Sequence, residues 1–148
     1  MRKKSVIFLF LLILSPIIIY FLWPSDESRI KKLIKEGAAA IEKKEIDKVM
    51  SKVSFNYYDD YGFTYILIKK LLEDQFRTMS DIKVEYENLK ITVKKDSAIA
   101  DLDVRVIATI GNETGYIIGD IKKPMHLKFN LEKERVKWLV TKTEGLKP

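Results

Sequence analysis

AIADLDVRVIATI, residues 98–110, decides the fold. Ala98, Ala100, Leu102, Val104, Val106, Ala108 and Ile110 take every second position, and Asp101, Asp103, Arg105 and Thr109 stand between them. Successive side chains of an extended chain point to opposite faces, so this period of two gathers the apolar groups on one side. A strand of that kind belongs to an antiparallel sheet covered on one face and wetted on the other. Upstream, Ile82, Val84 and Tyr86 alternate with charged residues, and Leu89, Ile91 and Val93 continue in the opposite phase. One extra residue near Glu87-Asn88, a β-bulge, accounts for the phase change and bends the strand. Downstream, Met125, Leu127, Phe129 and Leu131 repeat the pattern, and so do Val136, Trp138 and Val140 after a turn at Glu132-Lys133-Glu134.

Before residue 82 the period is helical. Ile30, Leu33, Ile34, Gly37, Ala38 and Ile41 fall on one stripe, with Lys and Glu opposite. The stripe slips at Lys43-Lys44-Glu45 and restarts with Ile46, Val49, Met50 and Val53, which predicts a turn and a second short helix. A third helix follows Gly62, with Tyr65, Ile68, Leu72, Phe76 and Met79 along one stripe and Leu67 and Leu71 widening it. Three helices followed by one-sided strands make an α+β fold, the helices packed on one face of a curved antiparallel sheet. The connection GNETGYIIGDIKKP, residues 111–124, admits two readings: a longer strand pair with its own turn, or a loop whose Tyr116, Ile117, Ile118 and Ile121 meet a partner or membrane.

Further out lies VIFLFLLILSPIIIYFLW, Val6 to Trp23, eighteen residues without a charge. A helix rises 1.5 Å per residue and so reaches roughly 27 Å here, close to the hydrocarbon thickness of a bilayer. A cleaved signal peptide has a shorter apolar region ending in small residues, whereas Tyr20, Phe21, Leu22 and Trp23 occupy the positions where a cut would fall. The segment reads as a single membrane-spanning anchor. Arg2, Lys3 and Lys4 precede it and Asp26-Glu27 follow, so the positive-inside rule keeps Met1 in the cytoplasm and sends the remainder across the cell membrane. Residues 1–24 are thus the cytoplasmic tip and anchor, and 25–148 a single extracytoplasmic domain of ordinary size.

The net charge is +6, but Arg2, Lys3 and Lys4 are three of the 27 basic residues, which leaves 24 against 21 acidic ones. Lys and Glu alternate rather than cluster, which argues against nucleic-acid binding. The absence of cysteine excludes disulfides, thiolate metal sites and a lipidated cysteine. No cofactor is expected: His126 is the single histidine, on the outer sheet face beside Lys128 and Asn130, and one histidine makes neither a metal cluster nor a triad. Gly111, Gly115 and Gly119 lack the lysine and helix of a phosphate-binding loop.

The order of elements resembles the nuclear transport factor two-like superfamily, with its SnoaL-like and cystatin-like members, over residues 28–144. The resemblance rests on the helix pair, on VSFNYYDDYGF (53–63), the bulged first strand, SAIADLDVRV (97–106) and the closing hairpin KFNLEKERVKWLVTKTE (128–144). It implies a cone in which the sheet wraps the helices and often encloses a pocket. Members of the superfamily include enzymes, transport adaptors and assembly subunits, so it implies a fold and leaves function open. In such a cone Trp138, Phe129 and Tyr65 or Phe76 would converge, and the small Ala98, Ala100 and Ala108 would either admit close-packed helices or leave room for a small apolar ligand.

Phe55, Tyr57, Tyr58, Tyr61, Phe63 and Tyr65 are six of the sixteen aromatic residues, with Asp59-Asp60 among them. The resemblance puts this segment at the mouth of the cone. Tyr57, Tyr58, Asp59, Asp60, Tyr65 and Trp138 are therefore the candidate ligand-binding residues. Phenols and carboxylates at a pocket entrance orient a ligand or exchange protons; the bland alternative has the aromatics cap the core and the acids start the turn before Gly62. The inward sheet face shows no acid or base, so no catalytic residue is assigned. The expected function is a membrane-tethered binding or assembly module. Alternatives are a pocket isomerase, dehydratase or hydrolase using Tyr57, Asp59 or Asp60, and, since periplasmic assembly components of type IV systems resemble this arrangement, a structural subunit of an envelope secretion complex. Ile99, Ile107 and Leu139 on the outer face make a sheet-to-sheet homodimer a further expectation.

Overall fold

The computed structural model describes residues 2–146. Helix α1 (Arg2–Leu22) runs without interruption through Pro16. It is followed by α2 (Asp26–Glu42), α3 (Ile46–Met50) and α4 (Tyr65–Thr78), then by strands β1 (Met79–Lys94), β2 (Ser97–Ile110), β3 (Glu113–Ile118), β4 (Met125–Glu134) and β5 (Lys137–Glu144).

The strands form one antiparallel sheet in the order β1-β2-β4-β5. β3 occupies the same edge of β2 as β4 but further along, pairing with 106–110 while β4 pairs with 97–104. Residues 111–124 thus contain a hairpin strand, which favours the first of the two readings of that connection. The bulge expected near Glu87-Asn88 is present as a register shift between Glu87 and Lys90, with Asn88 at φ +55°. A second shift lies between Ser80 and Lys83, with Asp81 at φ +49°. Together the two bulges curl β1 around the helices.

Ser25 caps α2 by accepting from Ser28 N at 3.1 Å, and Asp26 and Glu27 stand in its positively polarised first turn. The helix packs chiefly on β1, burying Ile30 and Ile34 in the apolar cluster shared with the inward faces of the strands, and Ala40 is buried as well. Lys44 fastens the next layer: its Nζ donates to Phe76 O at 3.3 Å and Met79 O at 2.8 Å, a cation against the carbonyl end of α4.

α4 is narrower in its packing than its sequence suggests. Phe76 is buried and Tyr65, Ile68 and Leu72 are half-buried against the core, but Leu67 and Leu71, expected to widen the stripe, are exposed. The short α3 is a small neighbour, and α4 meets the sheet chiefly where the chain enters β1, so only one line of side chains finds cover.

The outer edge of β5 is covered by residues 52–58. Val53 bridges Val140 in parallel, Val140 N donates to Lys52 O at 2.9 Å, and Ser54 N and Tyr58 N donate to Val140 O and Thr141 O at 2.9 and 3.1 Å. An unpaired edge is thereby satisfied from within the chain.

Candidate functional site

Covering the β5 edge places the aromatic segment. Tyr57 turns inward and is buried, while Tyr58 turns out. Asp59 is buried too, and its oxygens are fully engaged. Oδ1 accepts from Tyr61 N and Phe63 N, each at 3.0 Å, and Oδ2 accepts the Tyr57 hydroxyl at 3.1 Å. Its backbone closes the same loop, with Asp59 N donating to Phe63 O at 3.2 Å and Gly62 N to Asp59 O at 3.0 Å. Gly62 sits at φ +81°, where a side chain is strained. An aspartate that answers backbone donors two and four residues on organises a turn.

The neighbouring carboxylate points the other way. Asp60 is exposed and pairs with Lys142 Nζ at 2.8 Å, a contact that holds the lysine's pKa above its usual value. Tyr57 is pushed up to about 12, first by burial, which the Thr143 hydrogen bond opposes and the Asp59 carboxylate reinforces. It is a neutral phenol at any physiological pH. The Tyr57 phenol is therefore not poised to exchange a proton near neutrality, and the hydrogen bonds of Asp59 fit a turn-forming role.

Tyr65 lies against Phe55 with ring centroids 4.6 Å apart. Trp138 is buried opposite Lys133 at the β4–β5 turn, and Thr143, at the Tyr57 end, is five residues further along β5, roughly 17 Å at the usual strand rise. Trp138, Phe76, Phe129 and Tyr65 all join one apolar cluster, as expected of the interior. Ala98, Ala100 and Ala108 are buried on the inward face, Ala100 at 0% exposure. Two depressions, of about 480 and 400 Å³, lie on the outer side of the helices among Lys44, Glu45, Lys48, Lys52 and Glu73, away from that face.

The Trp138 indole has a partner that sequence reasoning did not supply. Its Nε1 donates to Asp26 Oδ1 at 2.9 Å, Lys133 Nζ donates to the same oxygen at 3.0 Å, and Arg29 approaches at 3.6 Å. The indole hydrogen bond first, and the Lys133 ammonium next, hold the Asp26 carboxyl below its usual pKa. The one available signal was a tryptophan on an apolar face, whose N–H needs an acceptor from another element.

On the outer face His126 stands between Asp103 (Nδ1 to Oδ1, 2.9 Å) and Asp101 (Nε2 to Oδ1, 3.2 Å). Asn88 donates to the other Asp103 oxygen at 2.9 Å. The carboxylates raise the His126 pKa. No group of three or more His, Cys, Asp or Glu side chains arranged to hold a metal occurs among the described residues.

No protein-family model matches the sequence, and no curated protein matches it. Solved structures do. A nuclear transport factor two-like protein with a cystatin-like fold from Novosphingobium aromaticivorans is 13% identical, with a TM-score of 0.62 over 80% of this chain and 79% of that one. An NTF2-like protein of unknown function from Pseudomonas putida is 16% identical, with a TM-score of 0.63 over 79% and 82%. Bd1075 of Bdellovibrio bacteriovorus is 13% identical, with a TM-score of 0.64 over 78% of this chain but only 38% of its own longer one. At these identities the likeness establishes the fold: helices on a curved antiparallel sheet of the cystatin-like kind, as the sequence pattern predicts.

Proposed function

We propose that the chain is a single-span, membrane-tethered binding or assembly module, with Met1 in the cytoplasm and the domain from residue 25 onward outside it. The observation that carries this reading is α1. Lys3–Leu22 is long and apolar enough to cross a membrane, and none of it is buried against the domain. Apolar side chains from Val6 to Trp23 that find no protein partner require another apolar medium, and a bilayer supplies one of matching thickness.

Binding, as against turnover, is supported by what the aromatic segment presents. Asp59 and Tyr57 are spent on the loop itself, whereas Phe55 (81% exposed), Ile66 (74%), Tyr58, Tyr61, Leu67 and Leu71 face solvent on that loop and α4. Grouped exposed aromatic and aliphatic residues mark contact surfaces, and aromatic side chains provide most of the anchors in protein interfaces. A photo-crosslinking residue in place of Phe55 in the full chain should capture a discrete protein adduct, and one in place of the exposed Asn112 at the β2–β3 turn should not. Identical adduct patterns at the two positions would sink the binding reading. For topology, a reporter fused after Pro148 should be active only outside the cytoplasm.

A further inference from the structure

We propose that the end of the sheet formed by the β1–β2 and β4–β5 turns is a second membrane contact, a cationic rim with Val136 at its tip that rests on anionic phospholipid headgroups of the bilayer spanned by α1. This inference rests on the reading of α1 as a membrane span. Only Trp23, Pro24 and Ser25 separate α1 from α2. Four residue steps of fully extended chain reach about 14 Å, so Asp26 cannot lie further than that from Leu22.

Asp26 in turn holds the rim. Through Trp138 and Lys133 it fastens both sides of the β4–β5 turn, and the Arg29 guanidinium donates to Val136 O at the turn itself. Lys133 N donates to Asp96 O at 2.8 Å, which sets the β1–β2 turn beside it. Both turns therefore flank the point where the chain leaves the membrane, whatever direction α1 takes.

The chemistry of the two turns suits a phosphate-bearing surface. Lys94, Lys95, Arg135 and Lys137 are all exposed, and among the described residues none of the four is in an ion pair. Lys95 and Arg135 occupy left-handed positions, φ +56° and +58°, which tight hairpin turns usually fill with Asn or Gly. The turn geometry does not ask for a cation at either place. Val136, expected on the inward face after a turn at Glu132-Lys133-Glu134, is instead 67% exposed between Arg135 and Lys137, because β4 runs on through Glu134 and the turn falls at 135–136. Of the nearby acids, Asp26 is paired with Lys133 and Glu27 with Lys31 at 3.2 Å, while Glu134 accepts from the neutral Ser54 hydroxyl, which does not offset its charge. Asp96, Glu132 and Glu134 remain, three carboxylates against the four unpaired cations. Clusters of Lys and Arg next to a membrane span are attracted by anionic lipid within a Debye length of the surface, and the short link keeps this cluster within that range.

The chain has no cysteine, so Val136→Cys and Asn112→Cys, the second at the opposite end of the sheet, place single fluorophores on the full-length protein. The proteins are reconstituted in vesicles of phosphatidylcholine alone or with phosphatidylglycerol, with headgroup-attached quenchers. The label at 136 should be quenched at least twofold more than the label at 112, more strongly with phosphatidylglycerol, and the combined K94E/K95E/R135E/K137E change should abolish the lipid dependence. Equal quenching at 136 and 112 would overturn the contact, and equal quenching in both lipids would overturn its headgroup assignment. Carbonate extraction of the same vesicles separates the two claims. Chain that is extracted refutes the membrane span and the rim with it, while chain that resists extraction with an unquenched 136 label refutes the rim alone.

Discussion

Trp138 donates its indole N–H to Asp26 at 2.9 Å, across 112 residues of chain. The last strand of the sheet is thereby fastened to the first residue of α2, directly beyond the apolar helix α1. Trp138→Phe keeps an aromatic ring, removes the donor and leaves the smaller ring underfilling a buried site, and should cost at least about 1 kcal/mol in chemical denaturation. Asp26→Ala also strands Lys133, and should cost more. Because both act on one contact, the double variant should lose less than the sum of the two.

Asp59 closes the aromatic loop. Asp59→Ala leaves Tyr61 N, Phe63 N and the Tyr57 hydroxyl without their acceptor and should destabilise by about 2–3 kcal/mol, against about 1 kcal/mol for Tyr57→Phe. Equal losses would show that the backbone contacts carry no weight.

The Tyr57 phenol gives an alkaline signature. Burial pushes it up to about 12 in the folded protein, above the usual phenol value of 10.0. Between those values the folded state retains a proton that the unfolded state has lost, so stability is complete below pH 10.0 and falls as pH rises toward 12. Tyrosinate absorbance should show one late-titrating phenol, missing in Tyr57→Phe.

His126 acts near neutrality in the same sense. Asp103 and Asp101 raise its pKa above 6.5, so its contribution is complete below about pH 6.5 and is lost as pH rises through the higher folded value. Melting temperature should fall slightly across that range, and His126→Asn should flatten the slope.

Ala100 reports on the interior. It is fully buried opposite Phe129 on β4. Ala100→Leu should destabilise by about 1–3 kcal/mol through overpacking, and envelope lipids should leave the melting temperature of either protein unchanged. A lipid-dependent stabilisation of the parent that disappears in Ala100→Leu would instead reveal an apolar cavity.

The sheet was legible because alternation is a local signal. Residues 98–108 set the buried face unaided, although Ile110 at the end of the same alternation is exposed, and a phase change at Glu87-Asn88 located the bulge. Other features depend on distant partners. Leu67 and Leu71 carry helical spacing, yet whether they are covered depends on how far the sheet curls over α4. β3 was less distinct, since Tyr116, Ile117 and Ile118 are consecutive and do not alternate. Asp59 and Asp60 look alike in sequence; their different roles follow from the backbone turn that directs one carboxylate inward and the other toward Lys142. Asp26 reads simply as an acidic flank of the anchor, because its partners, Lys133 and Trp138, lie over a hundred residues away.

The central claim is that α1 is retained as an anchor with the domain outside. The most direct measurement is impermeant maleimide labelling of the full chain carrying Asn112→Cys in intact cells, read by intact mass on the carbonate-resistant membrane fraction. The account predicts a labelled species that keeps Met1 or Arg2 at its N-terminus. A mature N-terminus between Ile17 and Ser28, or labelling that occurs only after lysis, would contradict it.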